Sequence, residues 1–229
     1  MDIKLGNKDI PFIYQGDELL YPNPIKDGLV LWYDFKGMSN NDKTRDVAVD
    51  LSGNGNHGTL RNFGFNDESG YQNRCLTFDG VDDYISILEK GFRLDTYQDT
   101  FSFVVEVKED KRNNLLYSGE ELKIDLRGDT ISRADVTPTA SARENILDRL
   151  VSIYLVKTTS SHTTYVNGIP IEEREIDSYK KTAISFIGNY IPQGRPNIDL
   201  YDVKVYNRPL TPEEIAHNYQ IEKERFGIE

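Results

Sequence analysis

From Gly28 onward, apolar and polar residues alternate in short runs separated by turn formers, the pattern of strands and not of helices. Leu29-Val30-Leu31-Trp32-Tyr33-Asp34-Phe35 is almost unbroken in apolar character, which predicts an inner strand covered on both faces. Thr100 to Val107 is rich in branched and aromatic residues, whereas Leu122-Lys123-Ile124-Asp125-Leu126-Arg127 alternates strictly, so one of its faces is wet. Leu150 to Val156 and Thr163 to Val166 flank a polar loop, and Asn167-Gly168 predicts a two-residue hairpin turn into Ile169-Pro170-Ile171. Ala183 to Gly188 and Ile198 to Tyr206 complete a set of spaced strands, and such a set predicts an all-β antiparallel sandwich.

Two segments depart from the strand pattern. Ala142 to Leu150 places Ile146, Leu147 and Leu150 on one side and predicts a short helix. Thr211-Pro212-Glu213-Glu214 is a helix start, with Thr211 as N-cap, proline at the first helical position and Glu214 three residues after the cap; Ile215, Tyr219 and Phe226 then share a face. Residues 1–24 read separately from residues 25–229. Ile3, Leu5, Ile10, Phe12 and Ile13 predict two or three very short strands, with turns at Asn7-Lys8 and Gln15-Gly16-Asp17, and Tyr21-Pro22-Asn23-Pro24 is a stiff linker. So short a hairpin cannot bury enough surface to fold alone, so it is expected to dock on the main domain or on another subunit.

Composition narrows the function classes. A chain of 229 residues can bury one substantial core, and its 14 Tyr and 10 Phe suit strands. No apolar run approaches the roughly 20 residues of a membrane helix. With 27 basic against 38 acidic residues the formal charge is −11 and no basic stripe appears, which argues against nucleic acid as a partner and fits a cation site or simple solubility. The first residues lack the apolar stretch of a secretory signal, so assembly in the cytoplasm, or export as part of something larger, is expected. Cys75 is the lone cysteine and reads as a buried strand residue.

The densest candidate chemistry lies in Asp50-Leu51-Ser52-Gly53-Asn54-Gly55-Asn56-His57-Gly58-Thr59 and in the acidic turn Phe78-Asp79-Gly80-Val81-Asp82-Asp83-Tyr84. Glycine at 53, 55 and 58 permits sharp reversals, and Asp50, Ser52, Asn54 and Asn56 supply oxygens, so the loop is either a hard-cation site or a stiff structural turn. Sugar recognition needs exposed aromatics beside amide and carboxylate groups, and Tyr71, Tyr97, Asn189 and Tyr190, all in predicted loops, are the candidates. For glycoside hydrolysis the nearest approaches to a carboxylate pair are Glu175-Ile176-Asp177-Ser178-Tyr179-Lys180, with lysine where a second carboxylate is required, and Asp199-Leu200-Tyr201-Asp202. His57, His162 and His217 sit in no zinc or nucleophile motif, and there is no Gly-x-Ser-x-Gly.

Together with Tyr165-Val166-Asn167-Gly168-Ile169 and the stretch Tyr201 to Ile215, these two motifs resemble the laminin-G-like branch of the concanavalin A-like lectin and glucanase superfamily over about Ile25 to Tyr219. The resemblance implies a jelly-roll sandwich with a short C-terminal helix. It also implies a calcium ion at the rim, held by Asp50 and loop carbonyls near Asn54 and Asn56, with Asp34, Asp79 and Asp202 as further candidates; Tyr201 stands where many relatives carry a second acid. Ile3 to Lys8 and Ile13 to Pro22 resemble the N-terminal segment of tail and baseplate structural proteins of bacteriophages that infect Gram-positive bacteria. The expectation is a non-catalytic virion component, homo-oligomeric, contacting cell-wall glycan and other tail or baseplate proteins. The alternatives are a glycoside hydrolase or lyase acting on a wall polysaccharide, and an architectural module that binds only protein.

Overall fold

The computed structural model describes residues 4–5, 8–10, 12–15, 18–87, 92–118, 122–137, 139–188 and 195–229. Two antiparallel sheets carry the chain, as the alternation requires. In spatial order the first sheet comprises Ala140–Arg143, Thr130–Arg133, Leu122–Arg127, Asn113–Ser118, Phe186–Gly188, Tyr84–Ile87, Gly58–Arg61 and Val47–Ala48. The second comprises Ile169–Glu175, Ser161–Val166, Leu150–Lys157, Asp99–Val107, Asn197–Tyr206, Cys75–Asp79 and Gly70–Gln72, and Leu29–Asp34 pairs with Asn197–Tyr206 as well. Between the sheets lies the main core, which includes Leu31, Phe78, Phe101, Phe103, Leu116, Ile124, Ile153, Ile187 and Val203.

Strand Leu29–Asp34 is covered on both faces. Leu31 and Tyr33 enter the core between the sheets, while Trp32 points the other way into a second cluster with Tyr154, Tyr206, Leu210 and Ile215. That outer cluster exists because the helix α1 (Pro212–Phe226) lies across the second sheet. Thr211 Oγ1 accepts from the Glu214 amide and the Glu214 carboxylate accepts from the Thr211 amide, a reciprocal capping box, and Gly227 closes the helix in the left-handed region at φ 79°.

Segment 142–150 is not a helix, in contrast to the sequence reading. Ala140–Arg143 is an edge strand paired with Thr130–Arg133, its residues alternating between buried and open faces. Ile146 is then fully buried, and its amide and that of Leu147 both donate to the Gly128 carbonyl. Tertiary pairing and burial of Ile146 outweigh a helical spacing that rests on three residues.

The N-terminal residues make two short hairpins, Lys4–Leu5 with Lys8–Asp9 and Ile13–Gln15 with Glu18–Tyr21. The residues flanking the second hairpin dock on the main body: Phe12 and Ile25 pack on the outer cluster, and the Ile25 amide donates to Asn218 Oδ1 at 2.8 Å. The Arg225 guanidinium lies 5.0 Å from the Phe12 ring centre and 5.7 Å from that of Tyr21, so the C-terminal helix holds this segment by cation–π contact.

Candidate functional site

The Asp50 loop closes a sheet edge. Strand Leu29–Asp34 pairs on one side only, and its free edge would expose backbone donors and acceptors. Asp50 Oδ1 accepts from the amides of Trp32 (3.0 Å) and Ser52 (2.9 Å), while Oδ2 accepts from Ser52 Oγ and the Asn56 amide, both at 2.9 Å. Asn54 and Asn56 turn their amide groups onto the carbonyls of Leu29 and Val30, and His57 Nδ1 accepts from the Asp50 amide. Gly53 and Gly55 take φ of 85° and 75° with open space around them. Gly58 is different, since a Cβ there would stand 2.4 Å from Ile85 Cγ2. With four donors already on its carboxylate, Asp50 has the geometry of the stiff turn and not of an ion's ligand.

The expected metal ligands fall into separate groups: Asp50, Asn54 and Asn56 share the loop, and Asp34 and Asp202 are cross-strand partners. Asp79 lies with Asp82 and Asp83 on the acidic turn, their ligand atoms within 4.8 Å of one another, and no other such group of three occurs among the described residues. Asp202 is buried beneath α1. Of the expected sugar contacts, Tyr71 is a core residue and not a loop residue: it belongs to strand Gly70–Gln72, is 5% exposed, and its hydroxyl donates to the Arg45 carbonyl at 2.9 Å. It helps to line an apolar cavity of about 190 Å³ between Phe12, Tyr33, Phe35 and Met38. Tyr97 is exposed, with Lys181 Nζ 5.6 Å from its ring centre. Asn189 and Tyr190 lie outside the described residues.

Buried ionic groups form two networks. Under α1, Lys204 Nζ donates to Asp202 Oδ1 and, at 2.9 Å, to Glu222 Oε1. Glu222 also receives Ser152 Oγ (2.6 Å) and the Tyr154 hydroxyl (2.7 Å), Trp32 Nε1 donates to Asp202 Oδ2 (2.9 Å), and Arg225 pairs with Asp34 (2.6 Å). Burial pushes the Asp202 carboxyl up to about 7, with Lys204 opposing and Asp34 and Glu222 adding to the rise. At the far end, Arg133 pairs with Asp99 and Asp135 at 2.7 and 2.5 Å, and Lys157 bonds the same two carboxylates. Burial opposes ionisation of Asp135, but the Arg133 charge overcomes it and holds the carboxyl below the usual range. His162 beside them is fully buried, and burial together with the Arg133 charge lowers it to about 3, so it is neutral. Glu175 and Asp177 lie exposed at the sheet edge. Each of these buried carboxylates is matched to a cation, an arrangement that fixes side chains and leaves no acid and base facing open space.

An open polar cleft of about 300 Å³ lies on the outer face of the second sheet, beside the end of α1, lined by Gln72, Asn73, Arg74, Cys75, Asp199, Tyr201 and Phe226. A β-bulge creates it. Val104 pairs with Asp202 and Val105 with Leu200, so Tyr201 is the extra residue, and both it and Asp202 face outward. Here, too, strand Asn197–Tyr206 changes neighbour, pairing with Cys75–Asp79 before the bulge and with Leu29–Asp34 after it. Tyr201 stands edge-on to Phe226 at 5.7 Å. Asp199 is held by Thr77 Oγ1 (2.7 Å) and Lys108 Nζ (2.9 Å), and Arg74 donates to the Phe226 carbonyl at 3.3 Å. Burial, then the Asp199 charge, push the Cys75 thiol up to about 12, so it is inert at neutral pH. One carboxylate, one guanidinium, two side-chain amides and two aromatic rings can bind a hydroxylated ring, but a single tethered carboxylate cannot supply a general acid and a nucleophile. The sequence reading missed this cleft, although a signal was present: Cys75, Thr77, Asp199 and Tyr201 alternate with the core residues Leu76, Phe78, Ile198 and Leu200 and so share an outward face.

Neither a family model nor a curated protein matches the sequence. Solved structures match in fold. The Trypanosoma rangeli sialidase in complex with 2,3-difluorosialic acid superposes with a TM-score of 0.60 at 15% identity, over 86% of this chain and 33% of that one. The receptor binding domain of botulinum neurotoxin D gives 0.61 at 14% identity, over 86% and 53%. The binding domain of Paraclostridial Mosquitocidal Protein 1 gives 0.60 at 14%, over 85% and 52%. The chain thus spans between a third and about half of these neighbours, and what it shares with them is the all-β sandwich.

Proposed function

We propose that this chain is a non-catalytic carbohydrate-binding module, a component of a bacteriophage tail, baseplate or fibre that contacts host cell-wall glycan. The observation that carries the reading is the cleft at Tyr201: its volume of about 300 Å³ lies at the lower end of small-ligand sites, roughly 300–1,000 Å³, and its lining pairs an aromatic ring with amide, guanidinium and carboxylate groups. Two further features support it. The sandwich is shared with receptor-binding and binding domains, and the N-terminal segment that resembles tail proteins is clamped to the body by Arg225. A cleft for one sugar ring binds weakly, and several copies on one particle raise the effective concentration, so that avidity exceeds single-site affinity by roughly 10²–10⁴.

The test is equilibrium binding to purified Gram-positive cell-wall polysaccharide, with reducing ends assayed in the same samples and oligomeric state measured by light scattering. Saturable binding without new reducing ends is the expected result. Release of reducing ends would put the chain among the hydrolases, and absence of binding to any wall fraction would leave it an architectural subunit.

A further inference from the structure

We propose that the turn from Asp79 to Asp83 is a binding site for one divalent cation of the calcium type, held by the carboxylates of Asp79, Asp82 and Asp83. The three side chains offer oxygens within 4.8 Å of one another, a spread that a single ion with bonds of about 2.3–2.6 Å can span. Among the described residues no lysine, arginine or histidine pairs with any of the three. The nearby cations are otherwise engaged: Lys111, next to Gly80, pairs with Glu109 at 2.7 Å, and Arg195 donates to the Val81 carbonyl.

An independent observation points to a ligand. Asp83 is 1% exposed, and its two oxygens are treated unequally. Oδ2 receives Ser69 Oγ at 2.8 Å and the Asp79 amide at 3.0 Å, whereas Oδ1 is buried and has no hydrogen-bond donor among the described residues. A buried carboxylate oxygen without a partner is costly, and a hard cation removes that cost while cancelling the repulsion among three like charges. The rest of the turn is prepared for it. The Val81 amide donates to Asp79 Oδ1 and Asn62 Nδ2 donates to the Asp82 carbonyl, which fixes the loop without using the Asp82 carboxylate. The turn joins Cys75–Asp79 of the second sheet to Tyr84–Ile87 of the first, so a bound ion would clamp the crossing between the sheets.

The site is separate from the Tyr201 cleft, and the proposal does not rest on glycan binding. The experiment is calorimetric titration of the chelator-treated full chain with calcium chloride and with magnesium chloride, alongside thermal melts, for the wild type and for Asp82→Asn, Asp83→Asn and Asp50→Asn. Expected are one calcium per chain, a melting midpoint raised by several degrees and restored by chelator, and an affinity at least about tenfold weaker in Asp82→Asn and Asp83→Asn. Asp50→Asn keeps the calcium response whatever its starting stability. Among the described residues the Asp82 carboxylate makes no hydrogen bond, so Asp82→Asn decides the matter even if Asp83→Asn does not fold. No calcium heat and no midpoint shift in the wild type, a response undiminished in Asp82→Asn, or a response lost in Asp50→Asn alone would each overturn the proposal, and an equal response to magnesium would overturn the calcium assignment.

Discussion

Substituting Glu222 with glutamine removes one charge from the network that fastens α1 to the second sheet. Asp34, Asp202 and Glu222 face Lys36, Lys204 and Arg225 there, three acidic and three basic side chains, all nearly excluded from solvent. Glutamine keeps the shape but leaves an excess cation in a site where Lys204 lies 2.9 Å from Glu222. At an effective dielectric of about 20 that attraction is roughly 6 kcal/mol, and removing one partner of a buried pair costs about 3–5 kcal/mol after relaxation. Unfolding entropies of about 2.1 cal/mol/K per residue give roughly 0.5 kcal/mol/K for a 229-residue chain, so a loss of about 4 kcal/mol lowers the melting midpoint by roughly 8 °C. Trp32, the chain's one tryptophan, donates to Asp202 inside this network, which makes its fluorescence a direct probe of the region in urea titrations. A Glu222→Gln variant within about 1 kcal/mol of the wild type would refute the view that the network holds the helix in place.

Three further outcomes follow from the geometry. Gly58→Ala should cost about 1–3 kcal/mol, because its Cβ meets Ile85 and the Tyr33 hydroxyl, and should exceed the cost of Gly53→Ala, where φ is unfavourable but space is free; urea midpoints compare them. Thr211→Ala removes the N-cap acceptor of α1 and should cost about 1 kcal/mol in the same assay. The Asp83 carboxyl is raised to about 6 in the fold, above its unfolded value of about 3.9, so its contribution to stability is full below about pH 4 and is lost as the pH rises through 6. In chelated buffer Asp83→Asn should lack that part of the fall in urea midpoint between pH 4 and 7, and an unchanged pH profile would count against the burial of Asp83 as its cause.

Strands and their facing were legible in the sequence wherever local pattern and tertiary need agree. The run from Leu29 to Phe35 announced burial on both faces, Asn167-Gly168 takes φ of 50° and 75° as a hairpin turn demands, and the capping box at Thr211 and Glu214 is complete. Legibility failed where long-range partners decide. Asn218, Glu222 and Arg225 look like solvent-facing helix residues, yet they turn inward because Lys204, Asp34 and the Tyr206 hydroxyl await them across the sheet. Asp50 suited an ion or a turn, and the free edge of Leu29–Asp34, invisible in one dimension, tips it to the turn by adding the Trp32 amide to the loop's own donors from Ser52 and Asn56. Tyr71 was read as a loop aromatic because the glycines and asparagines around it mask a three-residue strand. The cleft depends on the bulge at Tyr201, and a one-residue offset between Val104 and Val105 leaves no compositional trace.

The most direct test of the account is the affinity of the wild type and of Tyr201→Ala for purified cell-wall polysaccharide, measured by calorimetry on chains whose urea midpoints agree. The account expects saturable wild-type binding, no released reducing ends, and a loss of about tenfold or more in the variant, equivalent to at least roughly 1.4 kcal/mol. Equal binding by the two proteins would place the sugar site elsewhere, and no binding by either would contradict the glycan-binding role itself.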